Sequence, residues 1–543
     1  MKASRHLINI AIALAAVLLA GCKVGPDYQR PAALGANPMP PAFGDPAVAR
    51  AAQWKVATPA AHLSRGAWWE VFGDVELNRL EILAKNCNQQ IAVALANLGQ
   101  ARAAVGTAKA DFFPQVSSTP SVTRQSSSVN ATSASQSSGK RTTYNKYTVP
   151  FDASWELDLW GRIRRAVEGA RARFIASADD LESAKLTVHA EVAVDYFNLR
   201  SLDAQSELLV RTAEVYRRAL QLTRNRLKSG VASDLDVSQA ETQLTTAEAQ
   251  IPGVDLQRAT LRHALAVLCG QPATTFTLTP NTVSSTNLPA IPVSVPSDWL
   301  ESRPDIAAAE RRMAAANADV GVAKAAFFPR ILLNGSGGYL SVSASALFTG
   351  PSQMWSLGPT LQMPLFTGGR NTAQLASARA AYEGAVATYR QTVLSAFQDV
   401  EDQLASQQLL TTQLKRERTA LASARRSADI STNRYKAGVA LYTEVFVSQA
   451  AALSLELTVV QLTGQRLAAG VSLIKALGAG WRQFAAPGAN PAANHSALRT
   501  GSPNSPPTYH NNLFKSETIP LMLSEQDDLK PAKAGTVRRV LAR

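Results

Sequence analysis

The chain has 543 residues, 46% hydrophobic but only 6% aromatic, so it is long enough for several domains or one elongated one and favours Ala-rich, closely packed helices over a thick globular core. Its net charge of +14 raises nucleic-acid binding, but the basic residues are spread along helical stretches among Gln, Glu and Asp. With no compact basic patch interleaved with aromatics, no nucleic-acid partner is expected.

Residues 1–21 read as a signal peptide: Lys2 and Arg5 precede an apolar run from Leu7 to Ala20 broken only by Asn9. The run ends Leu19-Ala20-Gly21-Cys22, small residues before a cysteine, as in a bacterial lipobox. Cys22 is therefore the expected lipidation site, its covalent acyl chains an anchor and the only non-protein group expected; no metal or other cofactor is implied. Lys23 in the next position fits onward export to the outer membrane. Cys87 and Cys269 belong to no CxxC pair; two buried thiols or one disulfide both remain open.

Residues 22–66, rich in Pro and Ala, read as an extended lead on the surface. Trp68-Trp69 opens a helical region running to about Ala110, and Pro114 ends it. The decapeptide VGTAKADFFP (Val105–Pro114) recurs as VGVAKAAFFP (Val320–Pro329). A second shared element follows each: RLKSGVASDLDV (Arg226–Val237) and RYKAGVALYTEV (Arg434–Val445). The chain is internally duplicated, with one repeat over 67–300 and another over 301–480.

After each FFP motif the pattern turns β-like. Tyr147, Val149, Phe151, Ala153, Trp155, Leu157 and Leu159 alternate with Thr148, Asp152, Ser154, Glu156 and Asp158, one greasy face and one acidic face. In the second copy Trp355, Leu357, Leu361, Met363 and Leu365 form the greasy row. Weaker partner strands are expected at about Gln115–Gln125 and Arg330–Val342, joined through the polar loops Ser126–Arg141 and Ser343–Ser352. Aromatic ends and a length of about 9–11 residues match strands that cross a membrane. Four strands cannot close a barrel, and open edges are not tolerated in lipid, so strands in a membrane require several chains to pool them; three would supply twelve.

Long helices then run Pro-free from Gly161 to Lys228 and from Gly369 to Lys436, each roughly 100 Å at 1.5 Å per residue. Each stops at a glycine suited to a left-handed C-cap, Gly230 or Gly438, and Ser233 and Asp234 read as an N-cap for the returning helix. Pro252-Gly253 is expected to bend or break the first return helix, and a new helix begins at Pro304. Residues 481–543 lose periodicity and read as a disordered tail.

The six histidines (His6, His62, His189, His263, His495, His510) are scattered, and no HExxH, GxSxG or phosphate-binding glycine loop is present, so no enzyme is expected. The stretches CKVGPDYQRP (Cys22–Pro31), WWEVF (Trp68–Phe72), DLWGR (Asp158–Arg162), RPDI (Arg303–Ile306), LFTGGR (Leu365–Arg370) and the two FFP decapeptides together resemble the TolC-like outer-membrane efflux lipoproteins of resistance-nodulation-division pumps. The resemblance covers about Cys22 to Gly480. It implies a mixed, mainly α fold: a homotrimer whose four strands per chain build a transmembrane β-barrel that continues into a long periplasmic α-helical barrel. It also implies a periplasmic adaptor and an inner-membrane pump as partners, outer-membrane lipid as surroundings, and passive export of drugs or other small toxic compounds.

On this pattern, adaptor contact falls on the tips Gly230, Val231, Ala232 and Ser233 and Gly438, Val439 and Ala440. Asp234, Asp236 and Glu444, just past the tips, are candidates for the entrance, since charged rings at a constriction select ions. Val447 stands where some relatives carry an acid. Asp152, Glu156 and Asp158 are expected to face the barrel lumen. The competing reading is a periplasmic adaptor or structural coiled-coil lipoprotein, which shares the lipid and hairpins but needs no amphipathic strands. If Cys22 carries the acyl chains, the intact protein takes up radiolabelled palmitate in cells and a Cys22→Ser variant takes up none.

Overall fold

The computed structural model describes residues 23–34, 66–126, 143–279 and 303–478. The signal peptide, Cys22, most of the Ser-rich loop and the tail lie outside them. A 3-10 turn, Trp68–Phe72, leads into α1 (Val75–Cys87) and α2 (Gln89–Ala110). The strands and helices β1 (Gln115–Ser117), β2 (Ser121–Ser126), β3 (Thr143–Leu157), α3 (Arg162–Lys228) and α4 (Asp234–Leu268) complete the first copy. The second contains α5 (Pro304–Ala325), β4 (Arg330–Ser341), β5 (Gln353–Gln362), α6 (Arg370–Lys436) and α7 (Tyr442–Ala476).

The duplication is close. α3 and α6 each span 67 residues and α4 and α7 each 35, so residue n of the first hairpin matches residue n + 208 of the second. The expected helix between Trp68 and Ala110 is divided at Asn88, whose side-chain Oδ1 accepts from Gln90 N at 2.8 Å and Ile91 N at 3.1 Å and so starts a new helix. Pro252 does not break α4 as expected; the helix runs through it. Pro252 and Gly253 lie on the exposed side, where water can reach the carbonyl that loses its donor.

The strands form one antiparallel sheet in the order β1/β2–β3–β4–β5, both β1 and β2 pairing with β3 in one continuous register (Ser117 opposite Asp152, Ser121 opposite Thr148). The single first strand expected is thus interrupted where Pro120 and Pro150 both lack a ladder N–H. Ser118 bridges the gap, its Oγ donating to the Pro150 carbonyl at 2.6 Å. β3 and β4 pair from Tyr147–Ser341 to Leu157–Ile331, which joins the two copies. β5 stops at Gln362, two residues before Pro364, so Met363 and Leu365 leave the strand.

Below the sheet, α3 is the packing centre, contacting α2, α4, α5 and α7, while α6 contacts α5 and α7. α3 buries residues from Ile163 to Thr223, whereas α2 buries only Ile91. α2 therefore forms a margin of the helical wall, as does the mostly exposed α6. α7 is apolar and long enough to cross a membrane, but it packs along α6 and α3, so its apolar faces serve helix packing.

Residues 23–34 lie across this wall. Arg165 of α3 is fully buried, and its guanidinium donates to Val24 O at 3.4 Å, Gly25 O at 3.2 Å and Asp27 Oδ1 at 3.1 Å. Gly25 (φ +111°) faces Gly321 of α5; a Cβ on Gly25 would stand 2.6 Å from the Gly321 Cα, and one on Gly321 would meet Arg165 at 2.9 Å.

The main core gathers Trp68, Trp69, Phe72, Leu77 and Leu80 against Val192, Tyr196 and Phe197 of α3. Cys87 is exposed and Cys269 buried, and both are free thiols. Within this core Glu81, fully buried, meets His189: the His189 Nδ1 lies 2.6 Å from Glu81 Oε2, and Trp69 stacks on the imidazole at 4.5 Å. Burial raises the Glu81 carboxyl well above its usual range, and burial with nearby Lys85 and Lys185 lowers His189 to about 4. The folded pair therefore keeps one proton between neutral partners. In the unfolded chain, with reference values near ~4.3 and ~6.5, that proton is gone above about pH 6.5. The folded state then binds more protons than the unfolded, and stability falls as pH rises through that region. Unfolding free energy measured from pH 6 to 9 is expected to decline for the natural chain, and Glu81→Gln, which removes the retained proton, should abolish this pair's share of the decline.

Candidate channel-forming elements

Each FFP motif is the place where a helix becomes a strand. α2 ends at Ala110 and β1 starts at Gln115; α5 ends at Ala325 and β4 starts at Arg330. Two tryptophans of β3 and its exit hold the two motifs. Trp155 Nε1 donates to Phe112 O at 2.9 Å, and Trp160 Nε1 donates to Pro329 O at 2.8 Å while its ring stacks on Phe328 at 4.8 Å. Phe112, Phe113 and Phe327 are exposed, and Phe328 is held by its stacking on Trp160 in the turn between β3 and α3.

The acids of this region divide. Asp152 is exposed on β3. Glu156 accepts from Arg162 Nε at 2.7 Å and Arg330 Nε at 3.2 Å, tying the start of α3 to the start of β4. Asp158 lies past the end of β3, and its carboxylate accepts from Ile163 N at 3.1 Å and Arg164 N at 2.9 Å. The expectation of Asp158 as a strand residue is corrected: it caps α3, where Gly161 (φ +76°) occupies the N-cap without a side chain to do so.

Above the joint, the sheet has two edges without partners among the described residues, β1/β2 and β5. Its apolar side chains share one exposed face: Trp355 is 84% exposed, and Phe151, Leu357 and Leu361 are exposed with it. Opposite Trp355 and Leu357, β4 carries Gly337 and Gly335.

At the far end, both hairpin tips close as Schellman turns. Gly230 (φ +73°) donates to Leu227 O at 2.9 Å and Val231 N to Arg226 O at 2.9 Å; Gly438 (φ +77°) donates to Tyr435 O at 3.0 Å and Val439 N to Arg434 O at 3.0 Å. Val231 and Val439 are about two-thirds exposed, and Ala232 and Ala440 are half-buried.

Ser233 is the N-cap of α4 as expected, but its capping-box partner is Asp236, not Asp234: Asp236 N donates to Ser233 Oγ at 3.2 Å and Ser233 N to Asp236 Oδ2 at 2.9 Å. Asp234 is exposed in the first turn. Glu444 lies 3.4 Å from Arg434 in an ion pair across the second tip. Val447 is exposed.

Sequence reasoning missed the residues that lock the tips together. Arg226 stacks over the Tyr435 ring at 4.7 Å and donates to its carbonyl at 2.9 Å. Tyr435 meets Tyr442 edge-on at 5.3 Å. The Tyr442 hydroxyl, pushed up to about 12 by burial, donates to Gln243 Oε1 at 3.1 Å, and Gln243 Nε2 donates to Gln449 Oε1 at 3.2 Å. The signal available in the sequence was that Leu227 and Asp234 of the first tip motif become Tyr435 and Tyr442 in the second.

The outer membrane efflux protein family model matches this chain over residues 82–271 and 295–479, one segment per copy. The chain belongs to the outer membrane efflux protein family. It is similar to the toluene efflux pump outer membrane protein TtgC of Pseudomonas putida, 32% identical over 87% of this chain and 95% of TtgC. It is also similar to the outer membrane protein OprJ of Pseudomonas aeruginosa, 31% identical over 87% of this chain and 96% of OprJ. The solved structure of the outer-membrane channel OprN superposes with a TM-score of 0.75 at 30% identity, covering 85% of this chain and all of that one.

The efflux-protein fold explains the two ends of the molecule. The exposed apolar strands belong at the outer membrane, the helices run into the periplasm, and the chain is an outer-membrane efflux channel protein with the mainly helical TolC-like fold. At the tips, a Cβ on Gly438 would meet no atom within 4 Å, so Gly438→Ala tests backbone conformation alone. It is expected to weaken the tip by about 1 kcal/mol, read as faster hydrogen exchange at the Val439 amide with exchange in the α1–α3 core unchanged.

Proposed function

We propose that three copies of this chain pool their sheets into a twelve-stranded barrel, and that their helices form one duct through which drugs or other small toxic compounds leave passively. The observation that carries this reading is the sheet with two edges unpartnered among the described residues and one exposed apolar face. In lipid, each unpaired backbone N–H or C=O costs several kcal/mol, and closure with neighbouring copies is the arrangement that satisfies them all. The margins support it: Val93 and Leu95 on α2 and Leu394, Leu409 and Ile430 on α6 are exposed apolar residues on helices that need a further partner. Relatives named for toluene, antibiotic and cation efflux support the export of small compounds through a duct that need not bind them tightly.

In this reading, acyl chains on Cys22 anchor the assembly in outer-membrane lipid. A periplasmic adaptor meets the tips at Gly230, Val231, Ala232, Ser233, Gly438, Val439 and Ala440, and an inner-membrane pump supplies the driving force. Asp234, Asp236 and Glu444 stand beside the periplasmic entrance. Asp152 faces the lumen, while Glu156 and Asp158 stand there hydrogen-bonded to Arg162, Arg330 and the α3 N-terminus. The exposed apolar strands favour the channel over a periplasmic adaptor or structural coiled-coil lipoprotein.

Reconstituted in planar bilayers, the protein is expected to give discrete ionic conductance with modest cation preference; silent bilayers with folded trimer overturn the reading. Asp234→Asn and Glu444→Gln together should lower cation preference or change conductance, and unchanged values would remove both residues from the entrance.

A further inference from the structure

The two helical hairpins are near copies, yet they differ in charge at one matched place. In the first, Arg258 of α4 is neutralised within the hairpin: its Nε lies 2.8 Å from Asp203 Oδ1 and its Nη1 2.8 Å from Asp255 Oδ1. Asp203 is buried and also takes a hydrogen bond from Arg200 at 2.9 Å.

Shifted by 208 residues, Arg258 becomes Arg466, and the arginine is kept. Its carboxylates are not: Asp203 becomes Thr411 and Asp255 becomes Thr463. Two further acids of the first hairpin, Glu207 and Glu214, become Lys415 and Ala422, and Val210 becomes Arg418. The result is an open cavity of about 520 Å³ between α6 and α7, with Thr411, Lys415, Arg418, Thr419, Ala422 and Arg466 in its lining and no carboxylate. The Nε of Arg466 is buried there and donates to no atom of the described residues. Three cations, one of them Arg466 with its buried Nε, and the Thr411 hydroxyl surround a space whose counterpart holds two carboxylates.

We propose that this cavity is an oxyanion site that takes a carboxylate or phosphate group to replace the two aspartates lost from the second hairpin. A guanidinium suits such a group because its N–H donors match two oxygens side by side, and a charge-assisted hydrogen bond there removes the cost of the buried bare donor. Lys415 adds a mobile point charge, and the Thr411 hydroxyl supplies a neutral donor, while that of Thr419 is spent on the Lys415 carbonyl at 3.1 Å. The group arrives either on a small anion from solution or on an acidic side chain of a second copy of this chain, since α6 is a margin of the helical wall.

The test uses the full-length protein in detergent, titrated calorimetrically with inorganic phosphate and with citrate, alongside Arg466→Gln and the double variant Thr411→Asp/Thr463→Asp. The double variant restores the carboxylates that the first hairpin already accommodates, so the fold tolerates the pattern. Saturable binding to the natural chain, weakened about tenfold or more in both variants, is the expected result for a free anion. If an acidic side chain of another copy fills the cavity, the natural assembly binds neither probe. Arg466→Gln then lowers the thermal transition of the assembled protein, whereas the double variant leaves it in place. Equal binding by all three proteins, or no binding with no change in the transition, overturns the proposal.

Discussion

The whole structure depends on the unpaired edges of one antiparallel sheet. Among the described residues, β3 and β4 have neighbours on both sides, but β1/β2 and β5 each leave a row of N–H and C=O groups without partners. Water would satisfy those groups, but lipid cannot. An exposed apolar face carrying Trp355, Leu357, Leu361 and Phe151 suits the sheet to lipid, so its edges need partners that the described residues do not supply. The bare flanks of α2 and α6 repeat the same incompleteness in the helical part, where the missing partner is side-chain packing rather than hydrogen bonding.

Strands bound for the outer membrane must leave the helical wall at a fixed level, and the FFP joints set that level. Proline ends the helix, and tryptophan N–H groups from β3 and its exit tie the turn carbonyls of both motifs to one segment. Glu156 joins the same segment to Arg330 at the start of β4, so the two copies share one hinge. The buried Arg165 holds residues 24–27 just beneath it, which keeps the chain following Cys22 beside the sheet-to-helix boundary. The matching position in α6 is Ala373, so this seat exists once per chain, as the single N-terminus requires.

Duplication kept the backbone and released the side chains. Helix lengths, tip glycines and turn hydrogen bonds agree between copies because they rest on φ angles and periodicity, which few residues control. The side chains that connect elements do not agree. Arg226 finds Tyr435, Asp203 finds Arg258, and the second-copy equivalents Arg434 and Arg466 meet Glu444 and a cavity instead. Matching scaffolds thus carry different side-chain networks in the two copies.

By itself the sequence determined what depends on local rules. Proline-free apolar periodicity yields helices that end at Lys228 and Lys436, glycines supply left-handed turns at the tips, and alternation yields strands beside the FFP motifs. Only the tertiary structure decided which polar groups are spoken for. Asp158 and Asp236 look like free acids in the sequence but serve helix ends a few residues away, and Pro252 looks like a break but lies where its lost hydrogen bond faces water. Arg165, Glu81 and Gln243 carry no sequence signal, since their partners lie more than 100 residues away along the chain. A side chain's charge can be read from its type, but whether that charge is available depends on neighbours that folding alone brings within 3 Å.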